Sequence, residues 1–200
     1  MVSDMSRYLT VSEFRAAAYV GLAYFIYSID PIKFWKENIN ATGNELANVI
    51  TGNRGHNALT GGLGNDTLVG QAGNDTYRFA TGDGQDTVID NDATTGNTDV
   101  LQFSGINQDN LWFQHVGNDL QISVLGTSDQ ITIKDWYVGG TSGKDNRIER
   151  IKTADGLTMY DTDVEKFVQA MNAFAPPAAT QTRWTNGQTS NGQVLPTVTH

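Results

Sequence analysis

The chain has no cysteine, few basic residues and no long hydrophobic run, and each shortage excludes a class of protein or site. Without cysteine there are no disulfides, thiolate metal sites or cysteine nucleophiles. Asp and Glu number 22 against 13 Lys and Arg, so the net charge of −9 should repel nucleic acid and attract cations. The uncharged apolar run 16–29 is too short to span a membrane and has no basic segment before it. We therefore expect neither a transmembrane helix nor a conventional N-terminal signal peptide.

Glycine is abundant, at 21 residues, while hydrophobic residues make up 38% of the chain. This composition favours a turn-rich, mainly β protein over a helical one. The pattern along the chain divides it into four segments, which we predict to be an N-terminal helical cap (1–38), a glycine-rich repeat region (39–92), a β capping domain (93–160) and an amphipathic helix with a flexible tail (161–200).

Each terminal segment contains a predicted helix. A capping box at Thr10 and Glu13, followed by apolar residues at helical spacing, predicts a helix over 11–28. This helix is expected to cap the neighbouring segment; the alternative is a helix that acts on a membrane or binds a partner. Apolar residues on one face predict a second helix over 161–174. The Thr-, Gln- and Asn-rich residues 178–200 are predicted to be disordered or loosely attached.

The central feature of the sequence is a nine-residue repeat. Its units are GNELANVIT (43–51), GNRGHNALT (52–60), GGLGNDTLV (61–69), GQAGNDTYR (70–78) and, after the insertion Phe79-Ala80, TGDGQDTVI (81–89). The sixth position is always Asn or Asp, namely Asn48, Asn57, Asp66, Asp75 and Asp86. The eighth is always apolar, namely Ile50, Leu59, Leu68, Tyr77 and Val88. One such turn is ordinary Asx-turn chemistry, but five units in register indicate a repeat architecture.

The spacing predicts both the fold and its ligand. Six turn residues followed by a three-residue strand direct one large apolar side chain inward per repeat, and two repeats complete a coil. A single repeat cannot bury that side chain, so the repeats must stack. The glycines allow the turns to approach closely, and each turn directs backbone carbonyls and one carboxylate at the turn two repeats away. A set of hard oxygen ligands suits Ca²⁺ better than a softer metal.

These units resemble the RTX, or haemolysin-type, calcium-binding repeat, G-G-x-G-x-D-x-U-x, in which U is a large apolar residue. Residues 61–69 match every specified position, 70–78 depart only at Gln71, and 81–89 depart only at Thr81. The first two units carry Asn in place of Asp, and the first also has Leu46 in place of glycine. The resemblance implies a parallel β-roll that binds Ca²⁺.

We predict the ligands from this register. Asn48, Asp66 and Asp86 should stack on one side of the roll, with Asn57 and Asp75 on the other. The best-supplied site is expected between the Asp66 and Asp86 turns, with carbonyls near Gly62, Gly64 and Gly84. The next is the pair Asn57 and Asp75, and a further site could join the Asp75 turn to Asp90 or Asp99. The insertion at Phe79-Ala80 should bulge outward to preserve the register. The predicted metal ligands are Asn48, Asn57, Gly62, Gly64, Asp66, Gly73, Asp75, Gly84, Asp86, Asp90 and Asp99.

The segment after the repeats has alternating β patterns separated by turns, which indicate an antiparallel β unit that caps the roll. It resembles the β domain that follows such repeats in bacterial proteins exported by type I machinery. The likeness rests on GDGQDTVID (82–90), TDVLQF (98–103), GNDL (117–120), ITIKDW (131–136) and RIERI (147–151). It implies an extracellular protein of a Gram-negative bacterium, exported through a C-terminal signal for which 161–200 is the candidate.

No catalytic motif of the H-E-x-x-H or G-x-S-x-G type occurs, and we predict no enzyme activity for this chain. His56 takes a variable repeat position, where only its backbone is expected to matter. The leading hypothesis is a module that folds on binding Ca²⁺ after secretion, as the non-catalytic C-terminal part of a larger toxin, adhesin or exoenzyme. The alternative is a self-contained extracellular protein whose β domain binds a glycan, protein or lipid surface. The expected partners are calcium ions and the type I secretion machinery, with no nucleic acid.

Overall fold

The computed structural model describes residues 37–94, 96–138, 146–172, 174, 177–184, 189–190 and 193–194. The helix predicted at 11–28 lies outside the described residues, as does most of the proposed cap at 1–38.

The structure is mainly β, with two six-stranded sheets that share one core. Repeat strands alternate between the sheets, whose orders are β1-β3-β5-β7-β11-β12 and β2-β4-β6-β10-β9-β8. This alternation is the predicted coil of two repeats. The strands are β1 (Asn40–Thr42), β2 (Val49–Thr51), β3 (Ala58–Thr60), β4 (Thr67–Val69), β5 (Thr76–Ala80), β6 (Gln85–Ile89), β7 (Val100–Ser104), β8 (Leu111–Val116), β9 (Asp119–Val124), β10 (Gln130–Ile133), β11 (Arg150–Lys152) and β12 (Thr158–Tyr160), with a separate pair β13 (Thr189–Ser190) and β14 (Gln193–Val194).

The apolar eighth positions form the interior of the roll. Neighbouring repeat strands pair in parallel, with Leu59 beside Tyr77 and Leu68 beside Val88. All four side chains are fully buried, whereas Ile50 on the outermost coil is half-buried. The predicted β-roll is confirmed, because each apolar side chain is buried only by the coils stacked on it.

The predicted bulge at Phe79-Ala80 is wrong. β5 instead lengthens to five residues and includes both inserted positions. Because side chains alternate along a strand, two extra residues bring a second apolar side chain, Phe79, to the inner face. Phe79 is buried and lies edge-on to Phe103, with ring centroids 5.9 Å apart. The insertion therefore widens the core without disturbing the register.

The downstream strands continue the two sheets of the roll. β7 and β11 extend one sheet in parallel, and β10 pairs in parallel with β6. The predicted antiparallel pairing occurs in the rest of this segment, where β8 pairs with β9, β9 with β10, and β11 with β12. Part of the predicted antiparallel unit, β7 above all, thus belongs to the parallel stack.

One α-helix, α1 (Asp161–Asn172), packs on β8 among the described residues. Its buried side chains are those of the predicted apolar face, and Phe167 lies 5.5 Å from Phe113 between ring centroids. No helix in the described part of the chain is long and apolar enough to span a membrane.

Within 177–184, the described part of the tail next to α1, Trp184 is attached to the β unit, which the prediction of a loose tail did not include. Trp184 is buried, and its indole Nε1–H donates a hydrogen bond to the Leu111 carbonyl at 3.0 Å. The backbone N–H of Trp184 donates to the Asp109 carbonyl at 2.8 Å. The composition of this segment is that of a flexible tail, but one large aromatic side chain attaches it to the β unit.

Candidate calcium-binding site

The sixth positions of the repeats form two ladders, one on each side of the roll. On one side, Asp66 Oδ1 accepts the Asn48 N–H at 2.7 Å, and Asp86 Oδ1 accepts the Asp66 N–H at 2.9 Å. On the other, Asp75 Oδ1 accepts the Asn57 N–H at 2.7 Å. The stacking predicted from the nine-residue spacing is therefore present.

The second ladder continues beyond the repeats. Asp99 Oδ1 accepts the Asp75 N–H at 2.7 Å, and Glu149 Oε2 accepts the Asp99 N–H at 2.7 Å. Asp99 follows Asp75 by 24 residues because the loop between β6 and β7 is longer than a repeat turn. The sequence analysis did not predict that Glu149 belongs to this ladder, because its position there results from the pairing of β11 with β7.

In the described structure, the second carboxylate oxygen of each of the three repeat aspartates has no hydrogen-bond partner. This holds for Oδ2 of Asp66, Asp75 and Asp86, all of which are buried. An unpaired buried acceptor costs about 1–3 kcal/mol, and more if it is charged. The arrangement fits a bound cation, which would accept the unused lone pairs.

Glycines bring the backbones of stacked turns together. Gly64 and Gly84 form a parallel bridge, and both have positive φ, at 119° and 100°. A Cβ at Gly84 would collide with the Gly64 carbonyl, and one at Gly73 with the Gly55 carbonyl. Gly62, also at positive φ, lies over the Asn44 carbonyl. The four predicted glycine positions thus lie at close contacts between turns, each beside a backbone carbonyl of the stacked turn.

The asparagine turns are satisfied by their own amides. Asn48 Oδ1 accepts the Asn44 N–H at 2.8 Å, and Asn57 Oδ1 accepts the Asn53 N–H at 2.7 Å. Each sixth-position amide also donates to the partner side chain, at 3.3 Å to Asn44 Oδ1 and 3.0 Å to Asn53 Oδ1. These two predicted ligands therefore differ from the aspartates, whose second oxygens are unused.

The charges in the site are uncompensated. Burial raises the pKa of Asp75 to about 7, and repulsion from Asp92 adds to the shift. Burial also raises the pKa of Asp86 to about 7, with repulsion from Asp66 and Asp83. No ion pair joins these carboxylates to a basic side chain of the described residues. A divalent cation would remove both the repulsion and the desolvation cost.

Backbone oxygens are needed to complete any metal site here. In the described ranges, no three His, Asp or Glu side chains are arranged to hold a metal ion by themselves. Ca²⁺ commonly takes backbone carbonyls among its six to eight oxygen ligands, so the stacked glycine turns suit it.

Two further contacts were not predicted. Asp129, in the turn between β9 and β10, accepts the Gly82 N–H at 2.7 Å and so joins the last repeat turn to the β unit. His56 is exposed, as expected, but the expectation that only its backbone matters is wrong. Its Nδ1 accepts the Asn74 N–H at 2.7 Å, one coil away. The fifth positions of stacked turns are thus also joined by hydrogen bonds. The repeat consensus does not predict these bonds, because it allows any residue at the fifth position.

Comparison with known families locates two matches on this structure. Residues 42–77 match the RTX calcium-binding nonapeptide repeat (4 copies), and residues 119–163 match the haemolysin-type calcium-binding protein related domain.

Individual relatives match about half of the chain. The iron-regulated protein FrpA of Neisseria meningitidis serogroup C is 40% identical over 94 residues, which is 46% of this chain and 8% of FrpA. The RTX-I toxin determinant A from serotypes 1/9 of Actinobacillus pleuropneumoniae is 30% identical over 111 residues, 49% of this chain and 11% of the toxin. The matched segment is thus a small part of each relative. The chain thus contains RTX, or haemolysin-type, calcium-binding nonapeptide repeats, followed by a segment similar to the domain related to haemolysin-type calcium-binding proteins.

Proposed function

We propose that this chain is a calcium-dependent folding module of a secreted protein, in which Ca²⁺ binds between stacked turns on both sides of the roll. The first ion takes the carboxylates of Asp66 and Asp86 and backbone carbonyls near Gly62, Gly64 and Gly84. The second takes Asp75 and a carbonyl near Gly73, and its other side-chain ligand is one of the predicted residues Asn57, Asp90 and Asp99. Asn48 lies at the outer end of the first ladder.

The observation that carries this proposal is the set of buried, unpaired oxygens on Asp66, Asp75 and Asp86. Each lies in a turn that contacts the turn above it through glycine, and such turns have backbone carbonyls available. A bound Ca²⁺ would supply two positive charges to a region where carboxylates raise one another's pKa. The residues present fit the ion.

Calcium binding would couple to folding. Without the ion, few apolar side chains offset the ordering entropy of the glycine-rich turns and the repulsion between aspartates. Ligand at 100 times its dissociation constant adds about 2.7 kcal/mol per site, so two sites would convert an unfolded segment to a folded one. The roll would remain unfolded at the low calcium of the cytosol and fold outside the cell, which favours one-way export.

The wider role follows from the relatives. The matched segment is 8% of FrpA and 11% of the RTX-I toxin determinant, which supports a non-catalytic part of a larger exported protein. Type I machinery is the proposed exporter, and 161–200 the candidate signal. α1 and Trp184 pack on the β unit, so recognition of a signal here would precede folding.

Far-ultraviolet circular dichroism in chelator and then in millimolar CaCl₂ tests the proposal. The wild type should gain β signal with calcium, and Asp66→Ala with Asp86→Ala should gain much less. Asp135→Asn, which removes one exposed carboxylate from the β unit, is the matched control and should behave as wild type. A wild-type β signal already complete in chelator would rule out calcium-driven folding.

A further inference from the structure

Asp90 lies outside both matched segments, in the loop that joins the last repeat strand, β6, to β7. The same loop contains Asp92, whose Oδ2 accepts the Gly73 N–H at 2.9 Å and whose Oδ1 accepts the Thr94 N–H at 2.8 Å. Asp90 differs from it. Asp90 is 2% exposed, and its buried Oδ1 has no hydrogen-bond partner among the described residues.

Tyr77 connects Asp90 to the second ladder. Tyr77 occupies the apolar eighth position of its repeat, but its hydroxyl donates a hydrogen bond to Asp90 Oδ2 at 3.1 Å. A side chain at position 70 would collide with both the Tyr77 hydroxyl and Asp75 Oδ2, so these two groups meet above Gly70. Asp75 Oδ2 is itself buried and unpaired. Two unused carboxylate oxygens therefore lie close to one phenol hydroxyl.

The surroundings of Asp90 are strongly negative. Burial raises its pKa to about 9, and repulsion from Asp99, Asp75 and Glu149 contributes. Burial also raises the pKa of Asp99 to about 7. Hydrogen bonds to Asp92, by contrast, lower the pKa of that carboxyl despite its burial. Asp92 thus has a structural role, whereas the hydrogen bond from Tyr77 does not offset the burial and repulsion that raise the pKa of Asp90.

We infer that Asp90, rather than Asn57, supplies the second side-chain ligand of the calcium site at Asp75, and that Tyr77 is a positioning residue for it. Asn57 Oδ1 already accepts the Asn53 N–H, so its amide is less available than Asp90 Oδ1. Backbone carbonyls and water would complete the coordination shell. The site would hold the crossover into β7 against the last repeats. This inference rests on the proposed calcium dependence but concerns a different ion from that of Asp66 and Asp86.

The test counts bound Ca²⁺ by equilibrium dialysis on the full chain. Asp90→Asn keeps the shape of the side chain and can still accept from Tyr77, so it removes mainly the charge. We expect it to bind one ion fewer than wild type, while Asn57→Ala and Asp135→Asn keep the wild-type number. In saturating calcium, Asp90→Asn should melt at a lower temperature than wild type, because it lacks one ligand of this ion.

An unchanged ion count and affinity in Asp90→Asn, or loss of the ion in Asn57→Ala alone, would overturn the inference. In either case, calcium-driven folding through Asp66 and Asp86 would remain intact. A wild type that binds no calcium would instead overturn the proposed function as well.

Terbium luminescence provides a second measurement should Asp90→Asn fail to fold. Tb³⁺ binds hard oxygen ligands as Ca²⁺ does, and tyrosine close to a site sensitises its emission. Tyr77→Phe should lose a large part of the tyrosine-sensitised emission and bind the ion more weakly. Emission equal to that of wild type would place the ion away from Tyr77 and contradict the site.

Discussion

The first two repeats and the next three adopt the same coil but satisfy their turns differently. In the asparagine turns, Asn48 and Asn57 hydrogen-bond to Asn44 and Asn53 within the same turn. In the aspartate turns, the corresponding oxygens of Asp66, Asp75 and Asp86 are buried without a partner in the described residues.

The difference arises from the chemistry of the sixth residue. An amide both donates and accepts, so two asparagines four residues apart can satisfy each other, whereas a carboxylate only accepts. Residues at the second position also differ: Gly62, Gln71 and Gly82 in the aspartate turns have positive φ. One fold therefore contains turns that are closed by their own hydrogen bonds and turns with unpaired buried carboxylate oxygens, where we propose that a cation binds.

The largest expected effect comes from blocking the contact between aspartate turns. Gly84→Ala would combine positive φ with collision of the new Cβ and the Gly64 carbonyl. We expect a loss of about 3 kcal/mol or more of stability in calcium, measured by denaturant unfolding. Gly96→Ala is the matched control, since Gly96 has φ 86° but nothing within 4 Å of its Cβ. That variant should cost only about 1 kcal/mol; equal costs for both would show that turn contact is unimportant.

The metal-free protein should become less stable as pH rises. The folded-state pKa values of Asp75 and Asp86 are about 7, well above the usual value near 4 for an unfolded chain. The folded state therefore binds protons more tightly, and this stabilisation is complete below about pH 4 and lost as pH rises through 7. In chelator, the residual β signal in circular dichroism should fall between pH 5 and pH 8. A rise over that range would contradict the burial of uncompensated carboxylates.

With calcium bound, the pH dependence should reverse. The ion requires ionised carboxylates, so calcium affinity should weaken as pH falls from 8 to 5. Calcium titrations at both values, followed by circular dichroism, measure this. A pH-independent affinity would mean that Asp75 and Asp86 are not the ligands.

Exchanging Asp and Asn at the sixth position of a repeat should make an aspartate turn behave more like an asparagine turn, and the reverse. Asp66→Asn should stabilise the chelated protein by about 1 kcal/mol, since it removes a buried charge, and destabilise the calcium-bound form. Asn57→Asp should do the opposite, lowering stability in chelator and increasing the calcium response. Melting temperatures in both conditions check each change. Effects of the same sign in chelator and calcium would remove the distinction between the two kinds of turn.

The smallest effect concerns the amide pair itself. Asn53→Ala removes the bond to the Asn57 amide and leaves polar groups of a buried turn unpaired. We expect a loss of about 1–2 kcal/mol that is the same in chelator and in calcium. A loss seen only in calcium would instead assign Asn57 to the metal site. Asp66→Ala gives the contrasting, calcium-dependent case.

Sequence alone predicted the coil, because its determinants are local and periodic. The residues at the eighth position, such as Leu59 and Val88, are the ones buried. The same spacing predicted the ladders of Asp66 with Asp86 and Asn57 with Asp75. The ligand roles of these residues stay predictions.

The sequence-based predictions were wrong at features that the repeat consensus does not specify. The insertion at Phe79-Ala80 lengthened β5, because side chains alternate along a strand and Phe79 therefore points inward. The nine-residue consensus says nothing about inserted residues. His56 and Asn74 joined across coils because their fifth positions lie one above the other in the stack. Trp184 attached a segment of tail-like composition.

The repeat period and the residue types within it thus determined the roll, its two sides and the preference for a hard cation. Only the tertiary structure decided which carboxylates have unpaired oxygens, and which residues from outside the repeats reach them. Asp129 and Glu149 are 43 and 63 residues beyond Asp86, and chain crossings of variable length bring them to the turns. The loop lengths do not follow the nine-residue period. The positions of these residues therefore depend on the pairing of β7, β10 and β11 with the roll.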